Sequence, residues 1–162
     1  MAADSPVRRA VALTVAAVAL YLLVDSGRAG FSTIPLLTGL GYLLGAVAGG
    51  TRGALWAPAL VVSGWGLANV LYLREPFVQL HAPESAAHMV GIGVGLLVLA
   101  GLARLGVAVS FTGIALSVLL SGVLFTLQRG QGIGLFNRAA GYALVLLVWA
   151  AAEVVTVSVR RR

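Results

Sequence analysis

The chain has 162 residues, of which 60% are hydrophobic and only 10% are charged, and its mean hydropathy is +1.01. A soluble domain carries about a quarter charged residues, so this composition excludes an ordinary soluble domain. The formal net charge is +6, but every basic residue is an arginine and nearly all arginines flank hydrophobic runs. At such positions they set membrane topology and contact lipid headgroups, and we expect no nucleic-acid partner. The absence of lysine, beside abundant alanine, glycine and valine, is typical of a GC-rich prokaryotic genome.

Hydrophobic runs of roughly transmembrane length fill nearly the whole chain, which predicts six membrane-spanning helices and no soluble domain. In lipid these runs must be helical, because an open strand would leave its backbone groups without hydrogen-bond partners. In chain order the predicted spans are about 9–24, 32–49, 54–73, 84–104, 107–127 and 137–157. The predicted fold is therefore all-α, a single polytopic bundle whose main partner is the lipid bilayer.

Glycine and capping residues mark several of the predicted helix ends. The first run ends at Asp25-Ser26-Gly27, where Gly27 suits a left-handed C-cap. Ser32 or Thr33 can cap the start of the second span. A glycine-rich turn precedes the sixth span, and Asn137 can cap that helix.

The arginines predict the orientation of the bundle. An even number of spans places both termini on the same side of the membrane. Cytoplasmic termini assign seven arginines to the inside, namely Arg8, Arg9, Arg52, Arg104, Arg160, Arg161 and Arg162. Four then lie outside, namely Arg28, Arg74, Arg129 and Arg138. Cytoplasmic loops carry the excess of arginine, so we expect a multi-pass protein of the cell membrane with both termini in the cytoplasm.

Two series of glycines at four-residue spacing predict close helix contacts. The longer series is Gly41, Gly45, Gly49 and Gly53, and the shorter is Gly91 and Gly95. Small residues at this spacing allow two helix backbones to approach closely in lipid. The contact is expected inside the bundle, with a homo-oligomer seam or a sliding surface for conformational change as the alternatives.

A polar stripe on the fifth span is the second feature of interest. It consists of Ser110, Ser117, Ser121 and Gln128. At 100° per residue these side chains share one helix face. The stripe has two interpretations. One is helix packing, in which the hydroxyls bond their own backbone. The other is a path for a small solute, to which Asn69 of the third span would contribute.

A cluster at the predicted outer side contains the two histidines. His81, Glu84 and His88 are three and four residues apart, and helical spacing would place them on one face. The cluster is a candidate outer gate, with His88 able to titrate near neutral pH. Ordinary surface residues at a helix N-terminus are the simpler interpretation, because the helix dipole favours acidic groups there. We expect no metal site and no cofactor.

Glu153, within the sixth span, is expected to form a structural ion pair with Arg104, Arg52 or the C-terminal arginines. The segment around it, Trp149 to Val154, echoes Trp65 to Val70 in the third span. A three-span offset would make two inverted halves, as in many transporters, although chance similarity between low-complexity helices explains the match as well.

No catalytic motif accompanies these features. The first functional hypothesis is a membrane protein that binds or moves a small solute, alone, as a homo-oligomer or as the membrane subunit of a larger transporter. The second is a structural or accessory subunit without transport. The third is an intramembrane enzyme acting on a lipid-linked substrate, which would require His88 to converge with a carboxylate or a hydroxyl nucleophile.

Overall fold

The structure is a computed structural model that describes residues 5–51, 53–72, 84–109, 111–129 and 139–160, with the side chains of 111, 124–129 and 156–160 left aside. Within these ranges the chain forms helices and no strand, which confirms the predicted all-α fold. The helices are α1 (Pro6–Asp25), α2 (Ile34–Gly49), α3 (Trp56–Tyr72), α4 (Glu84–Arg104), α5 (Phe111–Arg129) and α6 (Ala139–Arg160), with a 3-10 turn at Phe31–Thr33 before α2.

The helix ends follow local chemistry, with two differences from the sequence prediction. Gly27 has a φ of 71° just after α1, as a left-handed C-cap requires. The proposed side-chain cap of α2 is wrong: Thr33 is the N-cap residue without a capping bond, and its hydroxyl donates to the Gly30 carbonyl at 2.6 Å. α5 begins at Phe111 rather than near 107, because the preceding segment is held by a bond from the Ala108 amide to the Thr51 carbonyl, 2.8 Å long.

The packed pairs α1/α2, α2/α3, α3/α4 and α1/α6 are antiparallel, and α3 is central. α2 lies between α1 and α3, while α3 also packs against α4 and α5, and α1 packs against α6. The α2–α3 contacts run from Gly39 beside Ser63 to Ser32 beside Asn69, so residue numbers rise in α3 as they fall in α2. The same rule places the start of α1 beside the end of α6.

The interior holds both large aromatic side chains and several polar ones. Trp65, Tyr42 and Tyr142 are almost fully buried among alanine, leucine and valine. Arg9, Thr38, Asn69, His88, Ser117, Ser121 and Glu153 are the buried polar residues of the described chain. Buried polar groups are stable when they find hydrogen-bond or ion-pair partners inside the bundle.

The helix surfaces, in contrast, are apolar. Val7, Val11, Val15, Val18 and Leu22 follow one face of α1 and are each more than half exposed. Contiguous apolar patches of this kind are rare on soluble monomers. Three helical segments of the described chain are long and apolar enough to cross a membrane, namely Pro6–Asp25, Phe31–Gly49 and Glu84–Arg104. α3 has 17 residues, and the described apolar parts of α5 and α6 are Thr112–Val123 and Ala139–Val155.

Candidate functional site

A polar cluster connects α2, α3 and α4 at one end of the bundle, which we call the His88 end. The Asn69 amide nitrogen donates to the Ser32 carbonyl at 2.8 Å, and its oxygen lies 3.3 Å from His88 Nε2. Since a carbonyl only accepts, the first bond fixes the orientation of the Asn69 amide. The Asn69 oxygen must then accept from His88, so Nε2 carries a proton in the neutral imidazole and Nδ1 does not.

His88 is held on three sides although it lies one turn into α4. Its ring meets Trp65 edge to face, with centroids 6.3 Å apart and an interplanar angle of 83°. The nearest Glu84 carboxylate oxygen is 4.0 Å from Nε2, an i to i+4 pair along α4. The His88 side chain is 8% exposed and that of Glu84 is 28% exposed, so the pair lies at the border between interior and surface. His81, the third residue of the predicted outer gate, lies outside the described residues.

A cleft beside His88 separates α4 from α5. We call it the α4/α5 cleft; its volume is about 140 Å³, and it is lined by Trp65, Ser85, His88, Met89, Ile92, Ser121 and Gly122. Trp65 belongs to the central helix α3, so a side chain of α3 forms the back of the cleft between α4 and α5. The surface that lines the cleft is apolar despite the polar residues in its wall. It therefore suits an uncharged group better than a hydrated ion.

The serine stripe of α5 is closed on its own helix. Ser117 donates to the Gly113 carbonyl at 2.6 Å and Ser121 donates to the Ser117 carbonyl at 2.9 Å. Both serines are buried, and both hydroxyl protons are donated to carbonyls of α5. A solute could therefore only donate a hydrogen bond to the serine oxygens. Ser110 and the Gln128 side chain lie outside the described part of the chain. Among the residues of the predicted solute path, Ser121 lines the cleft. Asn69 does not line it but contacts His88, which does.

The longer glycine series faces α1 over most of its length. A β-carbon built on Gly41 would lie 3.0 Å from Ala16 Cβ, one on Gly45 would lie 3.2 Å from the Leu13 side chain, and one on Gly49 would lie 2.6 Å from the Arg9 stem. Gly53 departs from the predicted ladder, because α2 ends at Gly49 and the nearest atom to a Gly53 β-carbon is 3.4 Å away.

The closest backbone contacts lie on both sides of α3. In the shorter glycine series, a β-carbon on Gly91 would overlap the Gly64 carbonyl, and one on Gly95 would overlap the Leu60 carbonyl. Sequence reasoning missed Gly64, as it missed Gly39 and Gly66 between α2 and α3, where a β-carbon would overlap backbone atoms of the neighbouring helix. The four-residue spacing of Gly64 and Ala68 was the signal available.

The opposite end of the bundle, which we call the Arg9 end, holds a full ion pair. Arg9 Nη2 lies 2.6 Å from a Glu153 carboxylate oxygen, and the two side chains are 7% and 9% exposed. A structural ion pair was expected for Glu153, but Arg9 was not among the predicted partners. The reason is topological: α1 packs along α6, which places the start of α1 beside the end of α6.

Within the described residues, no group of three histidine, cysteine, aspartate or glutamate side chains could hold a metal ion. The side chains at the site are one imidazole, one amide, the Glu84 carboxylate, serine hydroxyls and an apolar wall. Comparisons of the chain with protein-family models, with curated proteins and with solved structures gave no significant match.

Proposed function

We propose that the chain is a six-span membrane protein of the cell membrane with both termini in the cytoplasm. Its support is the inside-out distribution of polarity: charged and amide side chains lie in the interior, while Met89 and Leu97 are each 74% exposed. Contact with lipid costs such an apolar surface little free energy, whereas contact with water is unfavourable. The arginine asymmetry supports the orientation.

Reporter fusions at the two ends test this topology. We expect a reporter that is active in the cytoplasm to give a signal at either terminus, and one that is active outside to give none. An external signal at the C-terminus alone would mean an odd number of spans. Signals from outside at both ends would reverse the orientation.

We propose further that the protein binds a small uncharged solute in the α4/α5 cleft. The observation that carries this proposal is the cleft itself, which lies between two helices and against a tryptophan and a histidine. An apolar cavity of about 150 Å³ holds a molecule such as benzene, so the cleft suits a ring-sized molecule. Trp65 and Ile92 would provide apolar contact. His88 and Ser121 also line the cleft, and the surface they present to it is apolar.

Filling the cleft with a side chain tests the binding proposal. A β-carbon built on Gly122 meets no described atom within 4 Å, so Gly122→Leu extends into open space at the cleft wall. Gly93→Leu is the matched control, because Gly93 is equally open among the described residues and does not line the cleft. Both variants are compared with wild type in lipid nanodiscs, with phenol, indole and cyclohexanol as probes.

The readout is the rise in unfolding temperature that each probe causes. We expect a rise for wild type and Gly93→Leu that Gly122→Leu abolishes. Partition of a probe into lipid is the same in all three samples, so a difference between them reports the cleft. Equal shifts in all three, or no shift in any, would contradict the proposal.

The closed serine stripe favours a second candidate, a structural or accessory subunit without transport. Because Ser117 and Ser121 donate within α5, they supply no continuous row of donors for a permeating solute. This candidate predicts stable co-purification with another membrane protein, or with a second copy of this chain, and no solute flux in proteoliposomes. The enzyme alternative has less support, because the Ser121 proton is directed to a backbone carbonyl rather than to His88.

A further inference from the structure

α5 is less enclosed than α2, the helix that corresponds to it in the predicted inverted repeat. α2 packs along both α1 and α3. In the described part of the chain α5 packs against α3 and makes little contact with α4 or α6. The correspondence that Trp65 and Trp149 suggest in the sequence therefore does not extend to helix packing. This difference leaves a gap between α4 and α5, and the α4/α5 cleft lies in that gap.

The cleft lies on the side of the bundle rather than at its end. Along α4 its wall extends from Ser85 to Ile92, which is about 10 Å at 1.5 Å per residue. On the other wall, α5 continues as a helix from Gly122 to its end at Arg129, which is again about 10 Å. Apart from their terminal residues, neither helix contains aspartate, glutamate, lysine or arginine. If α4 and α5 span the membrane, as we propose, this side of the bundle faces lipid.

The cleft extends from the surface of the bundle to a buried aromatic ring. Met89 lines the cleft and is 74% exposed, while Trp65 at the back is 1% exposed. The surface that lines the cleft is apolar. A polar solute arriving from water would lose its hydration without gaining hydrogen bonds from this surface, which is unfavourable. A solute dissolved among acyl chains has no such hydration to lose.

The size of the cleft limits what can occupy it. Its volume is about 140 Å³. An α-helix with its side chains is about 10–12 Å across, so a helix of a second protein does not fit. An apolar cavity of about 150 Å³ stays dry and binds a benzene ring. A small hydrocarbon group therefore suits the cleft better than water or another helix does.

We infer that the α4/α5 cleft opens laterally into the membrane, and that its solute is a lipophilic, uncharged molecule that arrives from the lipid rather than from water. The inference rests on the proposed membrane location, and it adds the route and the chemical class of the solute to the proposed binding. It also implies that a lipid acyl chain has access to Trp65 when no solute is present.

Trp65 reports access to the cleft directly. The chain contains two other tryptophans, so Trp56→Phe with Trp149→Phe leaves Trp65 as the sole source of tryptophan fluorescence. The full chain with these two substitutions is reconstituted into phosphatidylcholine vesicles whose acyl chains carry bromine near their middle. Bromine quenches tryptophan fluorescence at short range. Iodide in the water is the comparison quencher, because a hydrated anion does not enter lipid.

We expect brominated lipid to remove a large part of the Trp65 fluorescence and iodide to remove little. Gly122→Leu adds a side chain at the cleft wall, where a β-carbon meets no described atom within 4 Å. This variant should restore most of the fluorescence that brominated lipid removes. The control Gly93→Leu, which lies outside the cleft, should restore none of it.

Three outcomes would overturn the inference. Quenching by iodide would mean that the cleft opens to water. No quenching by either agent would mean that the cleft is closed to both. Quenching by brominated lipid that Gly122→Leu leaves unchanged would mean that lipid acts on Trp65 from outside the cleft. If the double tryptophan substitution does not fold, the part of the wild-type quenching that Trp65→Phe removes measures the same access.

Cyclohexanol provides a second measurement that needs no substitution in the cleft. It should compete with the acyl chain and lower the quenching of Trp65 by brominated lipid, and no decrease would overturn the assignment of a lipid-dissolved solute to the cleft. If brominated lipid reaches Trp65 but no probe raises the unfolding temperature, the lateral opening stands and the proposed binding fails. If the probes raise the unfolding temperature but only iodide quenches Trp65, the binding stands and the lateral opening fails.

Discussion

The two ends of the bundle bury polar side chains of different chemistry. At the Arg9 end a guanidinium and a carboxylate meet at 2.6 Å, and the surrounding helices are closed. At the His88 end an imidazole and an amide meet at 3.3 Å, and a cleft opens beside them. The Asn69 amide makes two hydrogen bonds, one to the Ser32 carbonyl and one from His88. A full ion pair in an apolar interior needs close geometry, because charge burial is costly without it.

The comparison gives a reason why the cleft borders the His88 end. A buried charge beside an apolar cleft would lose its hydration without gaining a close partner. Asn69 and His88 avoid this cost, because the amide also donates to the Ser32 carbonyl and the ring packs on Trp65. The Asn69–His88 contact can therefore border the cleft, with the Glu84 carboxylate partly exposed beside it, while the buried Arg9–Glu153 pair requires its helices to be in contact.

Breaking the ion pair should have the largest effect of any single substitution. Glu153→Ala leaves the Arg9 guanidinium buried without its carboxylate, which should lower the free energy of unfolding by about 3–5 kcal/mol. Arg9→Ala should cost a similar amount. Denaturant or thermal unfolding in detergent measures both.

The double variant Arg9→Met with Glu153→Leu is the control for this prediction. Removing both charges and keeping the volume should cost less than either single substitution. If the double variant were the least stable of the three, the attraction between Arg9 and Glu153 would exceed the free-energy cost of burying their charges. The Arg9 end and the His88 end would then differ less than the comparison implies.

The glycines of the α3–α4 contact should come next. Gly91→Ala adds a β-carbon that overlaps the Gly64 carbonyl, so the helices must separate, at a cost of about 1–3 kcal/mol. Gly93→Ala, two residues away and open among the described residues, should be neutral or slightly stabilising because alanine favours helix. Unfolding temperatures of the two variants in detergent compare them directly, and equal values would mean that α3 and α4 are not in backbone contact.

His88 should have a smaller and pH-dependent effect. Protonation of His88 would add the proton at Nδ1, because Nε2 already donates to Asn69, and would place a charge beside the apolar cleft. His88→Ala should therefore remove any change in probe stabilisation on acidification while leaving the protein folded. A wild-type pH response that persists unchanged in His88→Ala would exclude this residue as its source.

Tyr42→Phe should have the smallest effect, and a favourable one. The Tyr42 hydroxyl is buried and has no hydrogen-bond partner among the described residues, while its ring packs edge to face on Trp149 at 5.6 Å. Removing an unsatisfied hydroxyl and keeping the ring should raise stability by about 1 kcal/mol or less. A clear loss of stability would reveal a polar partner for this hydroxyl, and with it a polar contact between α2 and α6.

Hydrophobic run length was enough to predict the helical fold, and local signals such as Gly27 were enough to predict some helix ends. The partners of the buried polar residues could not be predicted, because they depend on which helices are neighbours. Glu153 shows this directly: Arg104, Arg52 or the C-terminal arginines were expected, yet Arg9 near the other end of the chain is the partner. The cleft could not be predicted either, because the sequence of α5 does not show how far that helix lies from α4.

The separation of Arg9 and Glu153 along the chain also matters for biosynthesis. The two residues are 144 positions apart, so the arginine emerges from the ribosome well before its carboxylate exists. At about 5–20 residues per second the delay is roughly 7 to 30 s. During that time Arg9 must satisfy its charge elsewhere. If α1 spans a membrane, as we propose, the position of Arg9 near the start of α1 lets the side chain extend to the headgroup region. The contact between α1 and α6 can form only after α6 has been made, which couples this contact to the synthesis of α6.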